Sequence, residues 1–146
     1  MVLPELFPGP EEFSKVEGFL CRHKAEFSDE LVCIAPGSVW RTKRWLPERF
    51  AQVADWLAQR EDVKVVISGS RQDFGLAEEI AGQMSAKSIN ACGELSLLES
   101  AALFYKSRLV LSNDSAPTHL AVAMRTPVVA IFGPTPPLGN GGLGPT

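Results

Sequence analysis

This sequence predicts an α/β fold: a parallel sheet with helices packed on both of its faces. Three observations predict it. Apolar runs with no polar residue to face water recur along the chain, beginning with Leu31, Val32, Cys33, Ile34 and Ala35, as strands buried on both faces require. Between them lie segments with apolar residues at helical spacing, such as Phe50, Val53, Ala54 and Leu57, which give one stripe to lay on a sheet. The two kinds of segment alternate, and parallel neighbours need such crossover connections, which are right-handed.

The elements follow in order. The first ten residues carry Pro4, Pro8 and Pro10, which is linker chemistry. Glu11 and Glu12 then open a leading helix with Phe13, Val16 and Leu20 on its apolar stripe. Arg22, His23 and Lys24 end it, where cations suit the helix dipole. After the first strand, Leu31 to Ala35, Pro47 and Glu48 start a second helix. A strand from Val63 to Ser68 ends in Gly69-Ser70, and a helix from Phe74 to Met84 places Leu76, Ala77, Ile80, Ala81 and Met84 on one face. A weaker strand is expected at Ser88 to Ala91. Ser96 and Glu99 match a capping box, with the serine capping a free amide and the glutamate reaching back, so a helix runs from Leu97 to Lys106. Strand Leu109 to Ser112, helix Ala116 to Met124 and strand Val128 to Phe132 complete the series. The expected organisation is a linker and leading helix over 1–30, a Rossmann-like domain over 31–135 and an irregular tail over 136–146, where four glycines and three prolines fall.

Composition excludes several classes. The 146 residues hold 14 Lys plus Arg against 17 Asp plus Glu, a net charge of -3, which is one domain's worth of chain with an adequate core. There is no overall basic field to draw in nucleic acid or an anionic membrane, so any contact with phosphate must come from a local site. Cys21, Cys33 and Cys92 form no CxxC pair and read as reduced, buried thiols of a cytosolic protein. No run approaches the ~20 apolar residues of a membrane span, and the N-terminus lacks the basic region of a signal peptide. His23 and His119 are far apart, with no HExxH motif, no zinc-spaced cysteines and no GxSxG elbow. No metal and no cofactor are expected.

Ligands of such sheets bind beyond the carboxyl ends of the strands, which directs attention to the residues after Ala35, Ser68, Ser112 and Phe132. Pro36 to Trp45 combines a glycine, hydroxyls, the cations Arg41, Lys43 and Arg44, and two tryptophans. It reads as an anion-holding loop or as a solvated basic turn. It is not a Walker A loop, since Thr42 stands where the second glycine is required. In Asn113-Asp114-Ser115-Ala116-Pro117-Thr118-His119, Asp114 or Ser115 caps a helix whose early Pro117 needs no amide partner. The same helix start offers the N–H groups of Ser115, Ala116 and Thr118 to a diphosphate. Capping alone and phosphate binding both fit. His119 reads as a packed, hydrogen-bonded histidine. Asp73, after Gly69-Ser70, is either the acid that meets a ribose or a helix cap. Gly133-Pro134-Thr135 adds a turn with a hydroxyl at the same edge.

Taken together, Pro36-Gly-Ser with Trp40, Thr42-Lys-Arg-Trp45, Gly69-Ser, Cys92-Gly-Glu with Leu95-Ser-Leu97, Ser112-Asn-Asp-Ser-Ala-Pro-Thr-His-Leu-Ala121 and Phe132-Gly-Pro-Thr135 resemble glycosyltransferase family 9. The resemblance covers residues 31 to 137 and is greatest to the C-terminal half of ADP-heptose:lipopolysaccharide heptosyltransferases, particularly the heptosyltransferase II type. It implies the C-terminal half of a GT-B fold, in which this domain binds the nucleotide sugar and another domain binds the lipid acceptor. The resemblance further implies inverting transfer of heptose from ADP-heptose to the lipopolysaccharide inner core, without a metal, at the cytosolic face of the inner membrane. By the family pattern Lys43 and Thr42 with Ser115, Ala116 and Thr118 meet the donor diphosphate, Asp114 meets the sugar hydroxyls and Asp73 more loosely the ribose. The departing ADP gathers negative charge, which Lys43 and the helix amides would stabilise in place of Mg²⁺.

Family members run to about twice this length by the arithmetic of two domains. The acceptor domain and its general base are therefore expected elsewhere, no catalytic residue is assigned here, and the chain alone is expected to be inert. Two rival readings remain at the level of sequence. One keeps the GT-B domain with another nucleotide sugar; the other is a nonenzymatic nucleotide-binding module.

Overall fold

The computed structural model describes residues 7–25, 29–37, 45–113 and 116–131. Within them the elements run α1 (Pro10–Arg22), β1 (Leu31–Ala35), α2 (Pro47–Arg60), β2 (Lys64–Ile67), a 3₁₀ turn (Arg71–Asp73), α3 (Phe74–Gln83), β3 (Ser88–Asn90), α4 (Leu97–Lys106), β4 (Ser107–Asn113), α5 (Ala116–Ala123) and β5 (Val128–Ile131). The strands form one parallel sheet in the order β3-β2-β1-β4-β5. This is the Rossmann-like α/β arrangement that the alternating pattern predicts.

Period-two alternation along the central strands separates two cores. Leu31 and Cys33 of β1 and Val66 of β2 face one layer, with Val16, Phe19 and Leu20 of α1, Ala101 to Phe104 of α4 and Ala121 of α5. Val32, Ile34, Val65 and Ile67 face the other, with Phe50, Ala51 and Ala54 of α2 and Ala77 and Ile80 of α3. The leading helix therefore packs into the core of the domain. No residue of β1 has more than 2% of its surface exposed, so the unbroken apolar run at 31–35 has the cause proposed for it.

Helix α4 starts as the capping box requires, with the Glu99 N–H donating to Ser96 Oγ at 3.2 Å and the Ser96 N–H donating to Glu99 Oε1 at 2.9 Å. It runs into β4 with no loop between them, because buried Ser107 donates its hydroxyl to the Leu103 carbonyl at 2.7 Å. That satisfied serine lets the strand begin two residues before the apolar pattern announces it. Asn113, also fully buried, extends the strand at its other end.

Two expectations about single side chains are corrected. Cys33 and Cys92 are buried but Cys21 is exposed on α1, and His119 is exposed rather than packed. Both lie on the outward side of their helices, where no neighbour is required. The expected strand end at Phe132, the turn at 133–135 and the tail from 136 lie outside the described residues. No helix among the described residues is long and apolar enough to cross a membrane.

Burial pushes the Cys33 thiol up to about 12, against the smaller opposing effect of its contact with Ser107. At pH 8 this thiol and Cys92, also raised to about 12, stay protonated and unreactive. Titration of the native chain with an aromatic disulfide is expected to modify Cys21 rapidly and the other two only on unfolding. Ser96→Ala is expected to cost about 1 kcal/mol, read as a lower urea midpoint at unchanged slope.

Candidate functional site

The carboxyl ends of β1, β2 and β4 open into a cavity of about 600 Å³. Its position follows from the sheet order, since the connections from β1 and from β4 diverge to opposite faces and leave a crevice between their first loops. One wall comes from the loops after β1 and β2: Gly37, Ser68, Gly69, Ser70, Gln72 and Asp73. The other comes from Leu95, Leu97, Ser100 and Phe104 at α4 and from Ala116, Pro117 and Leu120 of α5. The first wall is made of polar residues and glycines; the second is apolar but for Ser100.

Asp73 sits at the end of the 3₁₀ turn. Its Oδ2 accepts the Ser70 N–H at 3.0 Å and the Ser70 hydroxyl at 3.1 Å. Those bonds hold the carboxylate against two glycines from different loops. A methyl group on Gly37 would stand 2.5 Å from Asp73 Oδ1, and one on Gly69 would stand 2.7 Å from Oδ2. A side chain at either position would have to displace the Asp73 carboxylate from its place beside Ser70. The nearby Cys92 thiol is raised first by burial and then by the charge of Asp73. It remains a neutral packing group rather than a nucleophile.

On the far side, Thr118 Oγ1 donates to the Asn113 carbonyl at 2.9 Å and lies 2.8 Å from Ser112 Oγ. A threonine hydroxyl has one proton, so Ser112 is the donor of the second bond. The Thr118 side chain ties the first turn of α5 to the end of β4, which leaves its backbone as the part suited to a ligand.

The structure brings Asp73 and Ala116 to one cavity, with Thr118 in the same turn of α5 as Ala116. Thr42, Lys43, Asp114 and Ser115 lie outside the described residues. Sequence reasoning from residue chemistry missed the apolar wall. Its one local signal is Leu97, an apolar residue at the first helical position with 63% of its surface exposed, where capping explains a polar residue better. A second concavity of about 380 Å³ lies on the β3 flank of the sheet, between α1 and α3, lined by Phe19, Arg22, His23, Glu78 and Asn90 among others. It meets the end of β3 at Asn90, but no residue of the loops directly after β1, β2 or β4 lines it.

Comparison with known proteins locates this arrangement. Residues 9–146 match the family model of glycosyltransferase family 9 (heptosyltransferase). Lipopolysaccharide heptosyltransferase 3 of Escherichia coli K12 is 36% identical over 109 residues, covering 73% of this chain and 32% of the relative. A family 9 glycosyl transferase from Veillonella parvula superposes with a TM-score of 0.81 at 33% identity, over 89% of this chain and 38% of that one. ADP-heptose lps heptosyltransferase II of E. coli superposes with a TM-score of 0.77 at 25% identity, over 94% of this chain and 43% of that one. The chain therefore spans roughly a third to two fifths of the length of these relatives.

If the glycines exist to admit Asp73, then Gly37→Ala is expected to cost about 1 kcal/mol in the natural background and close to nothing in an Asp73→Ala background. A double-mutant cycle by urea unfolding measures the difference.

Proposed function

The chain belongs to glycosyltransferase family 9, and from that membership we propose that this domain is the donor-binding part of an inverting, metal-independent heptosyltransferase. In this reading it takes ADP-heptose as donor and serves the building of the lipopolysaccharide inner core at the cytosolic face of the inner membrane. The observation that carries the reading is the two-walled cavity at the strand ends, polar and glycine-lined on one side and apolar on the other. A nucleoside diphosphate has the matching division. Its ribose and phosphates need hydrogen bonds and positive potential, and its base needs an apolar surface of about this size.

The parts are then assigned as follows. The Asp73 carboxylate, held in place by Ser70, accepts hydrogen bonds from the ribose hydroxyls. The start of α5 presents its amides to the diphosphate. The sequence carries Thr42, Lys43, Asp114 and Ser115 in the two segments that flank this point. Lys43 and Thr42 join the phosphate site with Ser115, Ala116 and the Thr118 main chain, and Asp114 receives the sugar hydroxyls. When the acceptor oxygen attacks the anomeric carbon, the bond from that carbon to the diphosphate breaks and its electron pair leaves with ADP. Lys43 and the helix amides stabilise that charge as it forms, the role a divalent metal fills in other transferases. The base that removes the acceptor proton and the acceptor site itself belong, in this reading, to the part of the relatives that this chain does not match. The chain alone accordingly binds donor without turning it over.

Calorimetric titration of ADP, ADP-heptose and UDP into the folded chain tests the proposal. ADP and ADP-heptose are expected to bind, UDP at least tenfold more weakly. Lys43→Ala is expected to reduce ADP affinity on the order of tenfold to a hundredfold, the range for one lost charge-assisted contact. Equal binding of UDP overturns the adenine assignment, and a folded chain that binds none of the three overturns the donor site.

A further inference from the structure

We propose that Asn113 is a positioning residue: its carboxamide ties Pro36 to Trp45 and thereby fixes the two points between which the sequence carries the cationic segment 38–44. Asn113 is the last residue of β4 and has 0% of its surface exposed. A polar side chain so buried must be hydrogen-bonded to be tolerated. Its Nδ2 donates to the Pro36 carbonyl at 2.6 Å, and its Oδ1 accepts the Trp45 N–H at 3.0 Å. The orientation of the amide is fixed by these partners, since a carbonyl only accepts and an N–H only donates.

The partners make this a clamp. Pro36 is the first residue after β1, and Trp45 lies two residues before α2. Parallel pairing of Ala35 with Ser112 places residue 113 beside the point where the loop begins. Trp45 is itself anchored, its ring set edge-on to Phe50 at 5.1 Å between centroids. The chain thus leaves β1 at Asn113 and returns to the same carboxamide before α2, and between these points the sequence carries Arg41, Lys43 and Arg44. The Asn113 carbonyl also accepts the Thr118 hydroxyl. One residue therefore ties the start of α5 with its main chain, and Pro36 and Trp45 with its side chain. Aspartate here would present only acceptors to the Pro36 carbonyl when ionised, and alanine or serine is too short to span both partners. The functional consequence, that Asn113 supports diphosphate binding through Lys43, rests on the donor reading above. The clamp itself does not.

Trypsin cleaves after Arg41, Lys43 and Arg44, which makes the loop its own reporter. In the full chain, Asn113→Leu keeps a similar volume and lacks both bonds. Cleavage at these three sites, followed by mass spectrometry under native conditions, is expected to rise roughly tenfold. Asn113→Asp keeps the acceptor for Trp45, is expected to give an intermediate rise, and decides the matter if the leucine variant does not fold. Thr126→Val removes an equally buried bond, to the Phe104 carbonyl at 2.7 Å, and is expected to leave loop cleavage unchanged. In an otherwise natural chain Asn113→Leu is expected to lower ADP affinity about tenfold, and in Lys43→Ala to lower it no further. Unchanged cleavage in folded Asn113 variants, or an equal rise in Thr126→Val, overturns the clamp. An equal loss of ADP affinity with and without Lys43 overturns its action through the cation. A natural chain that binds no ADP, with cleavage raised by Asn113→Leu, defeats the donor reading and supports the clamp.

Discussion

β1 is bonded on both flanks by parallel neighbours, to β2 on one side and to β4 on the other, and the site depends on that double pairing. Parallel strands end on the same side of the sheet, so the loops after all three emerge together although they are remote in sequence. The chain turns to one face after β1 and β2 and to the other before and after β4. A crevice is left where the two directions part, and no residue within it had to be selected to make it. The residues selected there decide what the crevice holds. The depth of the site is maintained by the core beneath it, where Phe50, Ile34 and Ile67 are fully buried under one loop cluster. Each such aromatic or aliphatic side chain contributes roughly 1.5–3 kcal/mol by its removal from water.

The fold was legible in the sequence because each of its elements is locally determined. An apolar pentapeptide with no wet side has to be a doubly covered strand, and Ser96 with Glu99 has to be a helix start. The boundaries failed where a polar residue is buried and satisfied. Ser107 hid the beginning of β4 behind a bond to the helix before it, and Asn113 hid its end. The site was legible in part. Gly37, Gly69 and Asp73 stand out at strand ends, but the reason they belong together is a contact between a carboxylate and two main-chain segments, which no spacing rule encodes. Asn113 was opaque for the same reason, with partners 68 and 77 residues away. The exposure of Cys21 and His119 is a matter of which side of a helix a residue takes, and both sit at positions where the apolar stripe was too short to decide.

The two walls of the cavity differ in how firmly they are held. The polar wall is tied by hydrogen bonds that run within and between loops, from Ser70 to Asp73 and from the Gly93 N–H to the Gly69 carbonyl at 3.0 Å. Such a wall is preorganised for a fixed pattern of hydrogen-bonding groups. The apolar wall is made of Leu95, Leu97, Phe104 and Leu120 with Ala116 and Pro117, and Leu97 is largely exposed. Its exposed leucine can adjust its rotamer to an apolar partner, since shape rather than hydrogen bonding governs such a contact. A ligand that spans such a site is held by matched hydrogen bonds on one side and selected by size and shape on the other.

The bond from Asn113 to Pro36 closes a span of 77 residues, and this orders events during synthesis. β1 is the central strand, yet its partner β4 leaves the ribosome long after it. Until then the Leu31–Ala35 segment has at most one neighbour and an open flank of unpaired amides and apolar side chains. Contacts this distant in sequence form slowly, and an open strand flank is where nascent chains associate wrongly. At synthesis rates of about 5–20 residues per second, that exposure lasts several seconds. The docking of β4 closes that flank, and the bond from its last residue to Pro36 completes the cover.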